Sequence, residues 1–285
     1  MKPLEPVLTL QLFPDERRSL LDLLSSIGEP QWDAPTVCPR WSVKDIVAHL
    51  LADDLGRLSR GRDRYAAGGL QWTGQGDFSA ALLEYVNEAN ERWVAATRRL
   101  SQRLLIDLLR WSGEETQRYF ETLDMFAMGE PVTWAGPEPA PIWLDIAREY
   151  TERWLHQAQV RDATHYPPLV EPRLFAPVLD TFVRALPHTF RDTAAADGTH
   201  ILLLVTDVTA KGLAPLQWSL VRDASRWALF DAAEAEPAAT VTIDADTAWR
   251  LFTKGLSKPE AASHSTIAGD QALGEKVLDT ISIIA

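Results

Sequence analysis

A change of hydrophobic pattern at a cluster of prolines constrains the fold of this chain more than any other feature. Before residue 165 the apolar residues recur at helical spacing, whereas beyond residue 190 they form short runs rich in β-branched and aromatic side chains. The segment His165-Tyr166-Pro167-Pro168 separates the two patterns, and its prolines cannot continue a helix. We therefore predict an α-helical bundle over residues 1–166 and a smaller α+β domain over residues 167–285.

The helical pattern predicts an up-and-down four-helix bundle with some long connections, because it falls into four main segments. These segments begin near residues 15, 42, 79 and 141. Asp15 and Ser42 are placed to cap the first two helices. A glycine-rich loop over residues 61–77, which carries Trp72, precedes the third segment. That third segment continues to about residue 123, with a break predicted near Ser112-Gly113.

The C-terminal pattern predicts strands first and helices packed on one face of their sheet. An amphipathic helix over residues 171–190 opens this part. The predicted strands cover residues 200–207, 216–222, 226–231, 239–244 and 265–270, and further helices cover residues 244–256 and 271–281.

The composition excludes several classes of function. A net charge of −12 argues against nucleic-acid binding, which needs a basic face. The sequence has no apolar run long enough to cross a membrane, and its first residues lack the features of a signal peptide. The single cysteine, Cys38, excludes an internal disulfide, so the sequence predicts a cytoplasmic protein.

The fourth helical segment contains a pair of candidate metal ligands. Glu152 and His156 lie four residues apart, which places both side chains on one face of a helix, one turn apart. A carboxylate and an imidazole at this spacing can share a divalent ion. The same pair also occurs as a solvated stripe or an ion pair, so a metal site needs a third ligand from another helix.

His49 is the candidate for that third ligand. It lies in the middle of the second helix, at the edge of the apolar face, and the other histidines lie at a helix end or in the C-terminal part. Ligands inside a helical bundle come from facing helices. In the alternative interpretation, His49 is a histidine at the edge of the core that is hydrogen-bonded to Asp45 or Asp53.

Three stretches resemble a known family. PTVCPRWSVKDIVAHL (35–50) and YTERWLHQAQVRDAT (150–164) resemble the DinB-like superfamily, and more closely its mycothiol-dependent maleylpyruvate isomerase group. The tail DADTAWRLFTKGLSKPEAASHSTIAGDQALGEKVL (244–278) is similar to the sterol-carrier-like C-terminal domain of that group. The resemblance implies a DinB-like four-helix bundle followed by a sterol-carrier-like α+β domain.

The same resemblance implies a metal centre formed by His49, Glu152 and His156, with zinc as the expected ion. It also implies a low-molecular-weight, mycothiol-like thiol as cosubstrate, which the metal holds as the reactive thiolate. The thiol then adds to an electrophilic substrate, as in maleylpyruvate isomerisation or thiol S-transfer. Where many members of the group have an aspartate, this chain has Gln159. Catalytic residues beyond the metal centre are not identified.

Alternative functions remain open at this stage. The chain could be a metal-containing binding or regulatory module without turnover, or a carrier of apolar ligands. Four arginines near the candidate ligands are expected on solvated helix faces rather than on substrate: Arg57, Arg60, Arg62 and Arg161. The C-terminal domain is expected to hold no metal and no nucleophile, and to contribute at most a wall or a charged residue, such as Arg222 or Arg226, to the pocket.

Overall fold

The structure is a computed structural model, and it describes residues 2–65, 78–207, 215–224, 226–231 and 236–283. Trp72 and most of the glycine-rich segment predicted at residues 61–77 lie outside these ranges. The described chain is helical up to residue 189 and then contains a five-stranded sheet with three further helices. This arrangement confirms the predicted fold class of a helical N-terminal domain with a smaller, sheet-containing C-terminal domain.

In the described ranges, six α-helices precede the proline cluster. They are α1 (Phe13–Ser26), α2 (Glu29–Trp32), α3 (Val43–Arg57), α4 (Phe78–Thr97), α5 (Gln102–Phe120) and α6 (Ile142–Thr164). A π-helical turn, Leu58–Arg62, continues directly from α3. None of the helices in the described ranges is long and apolar enough to cross a membrane.

The C-terminal elements follow the predicted order closely. Helices α7 (Pro172–Phe182) and α8 (Leu186–Thr189) precede β1 (His200–Thr206), β2 (Leu216–Asp223), β3 (Arg226–Phe230) and β4 (Ala239–Asp244), and then α9 (Ala245–Phe252), α10 (Lys258–Ser263), β5 (Ser265–Gly269) and α11 (Gln271–Val277). The sheet order is β3-β2-β1-β4-β5. Among the strands that the structure describes, β1 and β4 are the one parallel pair, and the other neighbours are antiparallel. The short helix α10 was not predicted.

Local sequence signals explain where α3 begins but not where α1 begins. The Ser42 hydroxyl accepts a hydrogen bond from the Asp45 amide, and the Asp45 carboxylate accepts one from the Ser42 amide, so the predicted capping box is present. Helix α1 instead starts two residues before Asp15, with Leu12 at the N-cap position and a proline in its first turn. The predicted Asp15 cap is therefore wrong, and the Asp15 carboxylate accepts a hydrogen bond from Arg18.

The break in the long third segment lies in a different place from the one predicted. The chain leaves α4 after Thr97 and starts α5 at Gln102, where the Ser101 hydroxyl caps the new helix. Ser112 and Gly113 are inside α5. A Cβ atom at Gly113 would lie 3.1 Å from the guanidinium of Arg17, so tertiary contact accounts for the glycine there.

The chain forms two compact units, and each contains more than one segment of sequence. One unit holds residues 10–124 and 152–168, and the other holds residues 1–9, 125–151 and 169–284. Residues 1–9 and 125–151 are thus grouped with the sheet. The proline cluster, in contrast, predicts one boundary between residues 166 and 167. The apolar core of the first unit joins α1, α3 and α5 through buried leucine, isoleucine and valine side chains. Independent folding of residues 1–166 stays a prediction.

Candidate functional site

The structure brings His49, Glu152 and His156 together within one compact unit. His49 is on α3, and the other two residues are on the C-terminal half of α6. The two imidazole rings meet edge to face, with their centroids 4.7 Å apart and their planes at 81°. The Glu152 Oε2 atom lies 3.8 Å from His156 Nε2. Both rings are 90% buried, since 10% of each side chain remains exposed.

A second imidazole–carboxylate pair lies on α3. The Oδ2 atom of Asp53 is 3.3 Å from His49 Nε2. Of the two carboxylates that the sequence offers to His49, Asp53 is therefore the one in contact. Asp45 is used elsewhere, because it completes the capping box of α3 and accepts hydrogen bonds from Arg98.

Gln159 determines which nitrogen of His156 carries the proton. Its side-chain oxygen Oε1 lies 2.8 Å from His156 Nδ1. A carbonyl oxygen can only accept, so Nδ1 is the protonated nitrogen and Nε2 presents its lone pair on the side of Glu152. The thiol of Cys38 donates to the same Gln159 oxygen at 3.4 Å.

Burial also keeps His156 neutral. Removal of the ring from water lowers the pKa of His156 to about 4, and the neighbouring His49 acts in the same direction. A neutral imidazole is the form that binds metal ions. By contrast, burial raises the pKa of the half-buried Cys38 thiol, which disfavours its reactive thiolate form.

The donor chemistry of this cluster fits a divalent metal ion. Two imidazoles and a carboxylate are ligands that Zn²⁺ accepts, and the Gln159 contact is the kind of outer partner that orients a ligating histidine. The side chains are near one another without enclosing a common point: within the described ranges, no group of three or more histidine, cysteine, aspartate or glutamate side chains is arranged to hold a metal ion. The predicted metal set of His49, Glu152 and His156 therefore stays a prediction.

A buried network of charges lies beside the cluster, and sequence reasoning missed it. Asp54 is fully buried and binds Arg17 through two hydrogen bonds, at 2.8 and 3.2 Å. It accepts a third hydrogen bond from Arg153 at 2.8 Å and a fourth from Ser112 at 2.7 Å. The network links α1, α3, α5 and α6 at the residues next to the candidate ligands. Asp54 directly follows Asp53, and Arg153 directly follows Glu152.

The sequence signal for this network was weak. Arg17 and Asp54 interrupt the apolar faces of their helices, as the partners of a buried ion pair do. A charged residue exposed to solvent gives the same sequence pattern. The expectation that Arg161 lies on a solvated face is wrong. Arg161 is buried and donates to Gln157 and to Ser19.

Two arginines considered from the sequence lie in the π-helical turn that follows α3. Arg60 and Arg62 are exposed, as expected, and Arg62 pairs with Glu115. The contribution of Arg222 or Arg226 to a pocket stays a prediction. Trp41 does lie beside the cluster, with its ring centroid 5.1 Å from that of His49.

Comparisons with known proteins agree with this fold. Two solved structures, a mycothiol-dependent maleylpyruvate isomerase and a mutant of it, superpose with TM-scores of 0.51 and 0.50. Each is 12% identical in sequence, and the match covers 85% of this chain and 86% of theirs, so it shows a common fold. A third structure, a UbiJ-SCP2 ubiquinone synthesis protein, matches 41% of this chain at a TM-score of 0.25, which supports no conclusion.

Two sequence comparisons differ in outcome. The search of curated proteins found no match. The model of the family described as mycothiol maleylpyruvate isomerase N-terminal domain matches residues 13–161, which are just over half of the chain and include His49, Glu152 and His156. This chain therefore belongs to the mycothiol maleylpyruvate isomerase N-terminal domain family.

Proposed function

We propose that this protein is a metal-dependent enzyme that uses a low-molecular-weight, mycothiol-like thiol as cosubstrate. Its reaction is either isomerisation, as the name maleylpyruvate isomerase describes, or transfer of the thiol to an electrophile. The observation that carries the proposal is the meeting of His49 with the Glu152/His156 pair across two helices, inside the segment that matches the family. We place the protein in the cytoplasm, where such thiols and metal ions are available.

His49, Glu152 and His156 would hold the ion, with zinc as the expected metal. A divalent ion bound there would lower the pKa of the small thiol and keep it as the nucleophilic thiolate at neutral pH. Two neutral imidazoles and one carboxylate leave a net positive charge, which favours the binding of an anionic sulfur. This use of the site requires a coordination position that the protein does not fill.

The surrounding residues support that chemistry in defined ways. The hydrogen bond to Gln159 keeps the proton of His156 on Nδ1, which leaves the lone pair of Nε2 for the metal ion. Burial keeps the ring neutral. The ring of Trp41 contacts that of His49 at a tilt of 46°, which adds an apolar neighbour to that imidazole. Cys38 has a raised pKa and donates a hydrogen bond to Gln159, which supports the cosubstrate as the source of the nucleophilic sulfur.

Isomerisation would proceed by addition and elimination. The thiolate adds to one carbon of the substrate double bond, and the electron pair of that bond moves to the conjugated carbonyl. Rotation about the resulting single bond follows, and return of the electrons expels the thiolate, so the thiol is regenerated. A transferase would stop after the first step and would consume one thiol for each turnover. After an addition the enolate takes up a proton, and in a displacement the leaving group departs with the electron pair of the broken bond.

The test is an activity screen of the purified, metal-analysed protein. Several small thiols, including mycothiol, are combined with maleylpyruvate and with a panel of alkylating electrophiles. We expect turnover that requires both metal and thiol and that is lost in His156→Ala. Asp107→Asn, which removes an exposed charge from α5, serves as the matched control and should keep full activity. Stoichiometric metal without turnover of any thiol would instead favour a non-catalytic, metal-containing binding or regulatory protein.

A further inference from the structure

We propose that Gly56 determines which thiols the protein accepts, because the absence of a side chain at this position leaves room for the body of the cosubstrate. The role of Gly56 rests on the proposed function, since it requires that a thiol binds with its sulfur at the cluster of His49, Glu152 and His156. The ligand class that follows is a thiol with a bulky body, rather than a thiol of the size of free cysteine.

The first argument is that the fold does not need a glycine at position 56. Gly56 lies inside α3, where glycine is the poorest helix former after proline. Its φ is not positive, so the backbone conformation is open to any residue. Apart from the adjoining residues and the nearby backbone of α3, no described atom lies within 4 Å of the point where a Cβ atom would stand. Packing does not account for Gly56 as it accounts for Gly113, where a Cβ atom would lie against the Arg17 guanidinium.

The second argument is the position of Gly56 relative to His49. The two residues are seven apart on α3, and seven steps of about 100° bring Gly56 to within about 20° of the direction of His49 around the helix axis. Gly56 therefore lies on the face of α3 that presents His49 to His156, two turns and about 10 Å further along the axis. The open space at Gly56 thus borders the same helix face as the cluster.

The third argument is that the cluster becomes more exposed in the direction of Gly56. On α3 the exposed fraction of the side chain rises from 10% at His49 to 30% at Asp53, which is one turn closer to Gly56. Gly56 itself is half-buried. On α6 the exposed fraction rises from 10% at His156 to 21% at Glu152. A molecule that reaches the two rings from solvent therefore passes the carboxylates, and its outer part lies along the C-terminal half of α3.

The distance between His49 and Gly56 sets the size of the ligand. One residue-sized unit of an extended molecule spans at most about 3.6 Å. A sulfur atom beside His49 and a body beside Gly56, about 10 Å away, therefore require a thiol of about three such units. A side chain at position 56 would occupy the space of the body without touching the sulfur. The expected signature is a KM that rises with the size of the thiol, at unchanged kcat.

The experiment compares Gly56→Leu with Ala95→Leu, which adds a leucine at an exposed position of α4. Mycothiol and N-acetylcysteine serve as the large and the small thiol. KM and kcat are measured with an electrophile from the activity screen, and Kd is measured by isothermal titration calorimetry, which does not depend on turnover. We expect Gly56→Leu to raise KM and Kd for mycothiol by at least about 10-fold, as when extra methylene groups are forced into occupied space. The values for N-acetylcysteine, and all values for Ala95→Leu, should stay within about 2-fold of those of the unmodified protein, because neither change removes occupied space.

The variant Gly56→Ala tests the first argument separately. Alanine is the best helix former, so the midpoint of urea unfolding should rise by about 0.5 M. A lower midpoint would show that the fold needs the glycine, and it would overturn the proposal.

The outcomes separate the two proposals. If the unmodified protein neither binds nor turns over either thiol, the proposed function fails, and the role of Gly56 fails with it. If the unmodified protein uses mycothiol while Gly56→Leu matches Ala95→Leu, only the role of Gly56 is overturned. The same holds if the unmodified protein uses N-acetylcysteine alone, or if KM rises equally for both thiols, since a general disturbance of the site does not depend on thiol size. Should Gly56→Leu not fold, Gly56→Gln, which carries a longer and polar side chain, is measured in the same way.

Discussion

Replacement of Asp54 by asparagine is the most direct test of how the helices around the candidate site are held together. The carboxylate is fully buried and accepts hydrogen bonds from Arg17, Arg153 and Ser112. Asparagine keeps one oxygen, but it places an NH₂ group against guanidinium groups that also can only donate. Both arginines are buried, so the variant leaves two positive charges away from water without a counter-charge at this position.

The expected loss of stability follows from that geometry. Removing one partner of a buried ion pair costs about 3–5 kcal/mol, because the remaining charge stays desolvated. With a urea dependence of about 2 kcal/mol per molar, the unfolding midpoint should fall by about 2 M. Such a loss is a large part of the total stability of about 5–15 kcal/mol that is typical of folded proteins. Urea unfolding, followed by far-UV circular dichroism, measures it.

The dependence on pH provides a second test of the same reasoning. Burial alone would raise the pKa of Asp54, but the charges of Arg17 and Arg153 outweigh it and hold the pKa below its ordinary value. The stabilisation is therefore complete above the unfolded-state pKa of about 3.9 and is lost as the pH falls through the lower folded-state value. The Asp54 charge also helps to raise the pKa of Glu16, so the comparison is made in a Glu16→Gln background. There the difference between Asp54→Asn and unmodified Asp54 should be the same at about pH 5 and at about pH 8.

Asp107→Asn is the control, because Asp107 forms an exposed pair with Arg110 on the same unit. It should change stability by less than about 1 kcal/mol. A loss of that small size for Asp54→Asn as well would refute the view that this ion network is a main link between the helices. Replacement of Arg17, Asp54 and Arg153 together by apolar residues of similar volume should recover much of the lost stability, because no buried charge then remains.

Three further predictions concern residues around the cluster. Glu16 is fully buried, and burial raises its pKa, so the free energy of unfolding should fall as the pH rises from about 4.3 towards the pKa of Glu16 in the folded protein. Urea unfolding at about pH 5 and pH 8 should show that Glu16→Gln removes this loss. The same loss between the two pH values in Glu16→Gln would contradict the prediction. Cys38 should react with iodoacetamide more slowly in the folded than in the urea-unfolded protein, and Cys38→Ala should keep turnover; rapid labelling of the folded form would show that the thiolate is accessible. Gln159→Leu removes the acceptor for His156 Nδ1 and should weaken zinc binding by about 10- to 100-fold, whereas Gln159→Glu should retain it; equal affinities in both variants would rule out an orienting role.

Features set by neighbours in the chain could be predicted from the sequence. The capping box of α3 involves residues three apart, and the pairing of Glu152 with His156 involves one helical turn. The strands β1 to β5 each match, to within one residue at either end, a run of alternating or β-branched residues that predicted them. The family resemblance added the prediction that His49 and the α6 pair share one site, and the structure places the centroids of the two imidazole rings 4.7 Å apart.

Tertiary structure decided the features that depend on residues far apart in the chain. The choice of Asp53 rather than Asp45 as the partner of His49 depended on Arg98, which binds Asp45 from beyond α4. Asp54 is surrounded by groups from three other helices, so its sequence context looks like that of any solvated acid.

The division into compact units shows the same limit. Residues 1–9 and 125–151 belong with the sheet, although the change of pattern at the prolines indicates a boundary at residue 166. Hydrophobic periodicity reports which face of an element is buried, because that face recurs every 3.6 or every two residues. It does not report what the face is buried against. That information arises only when distant segments pack together, since burial makes an unpaired charge or polar group costly and thereby selects its partner.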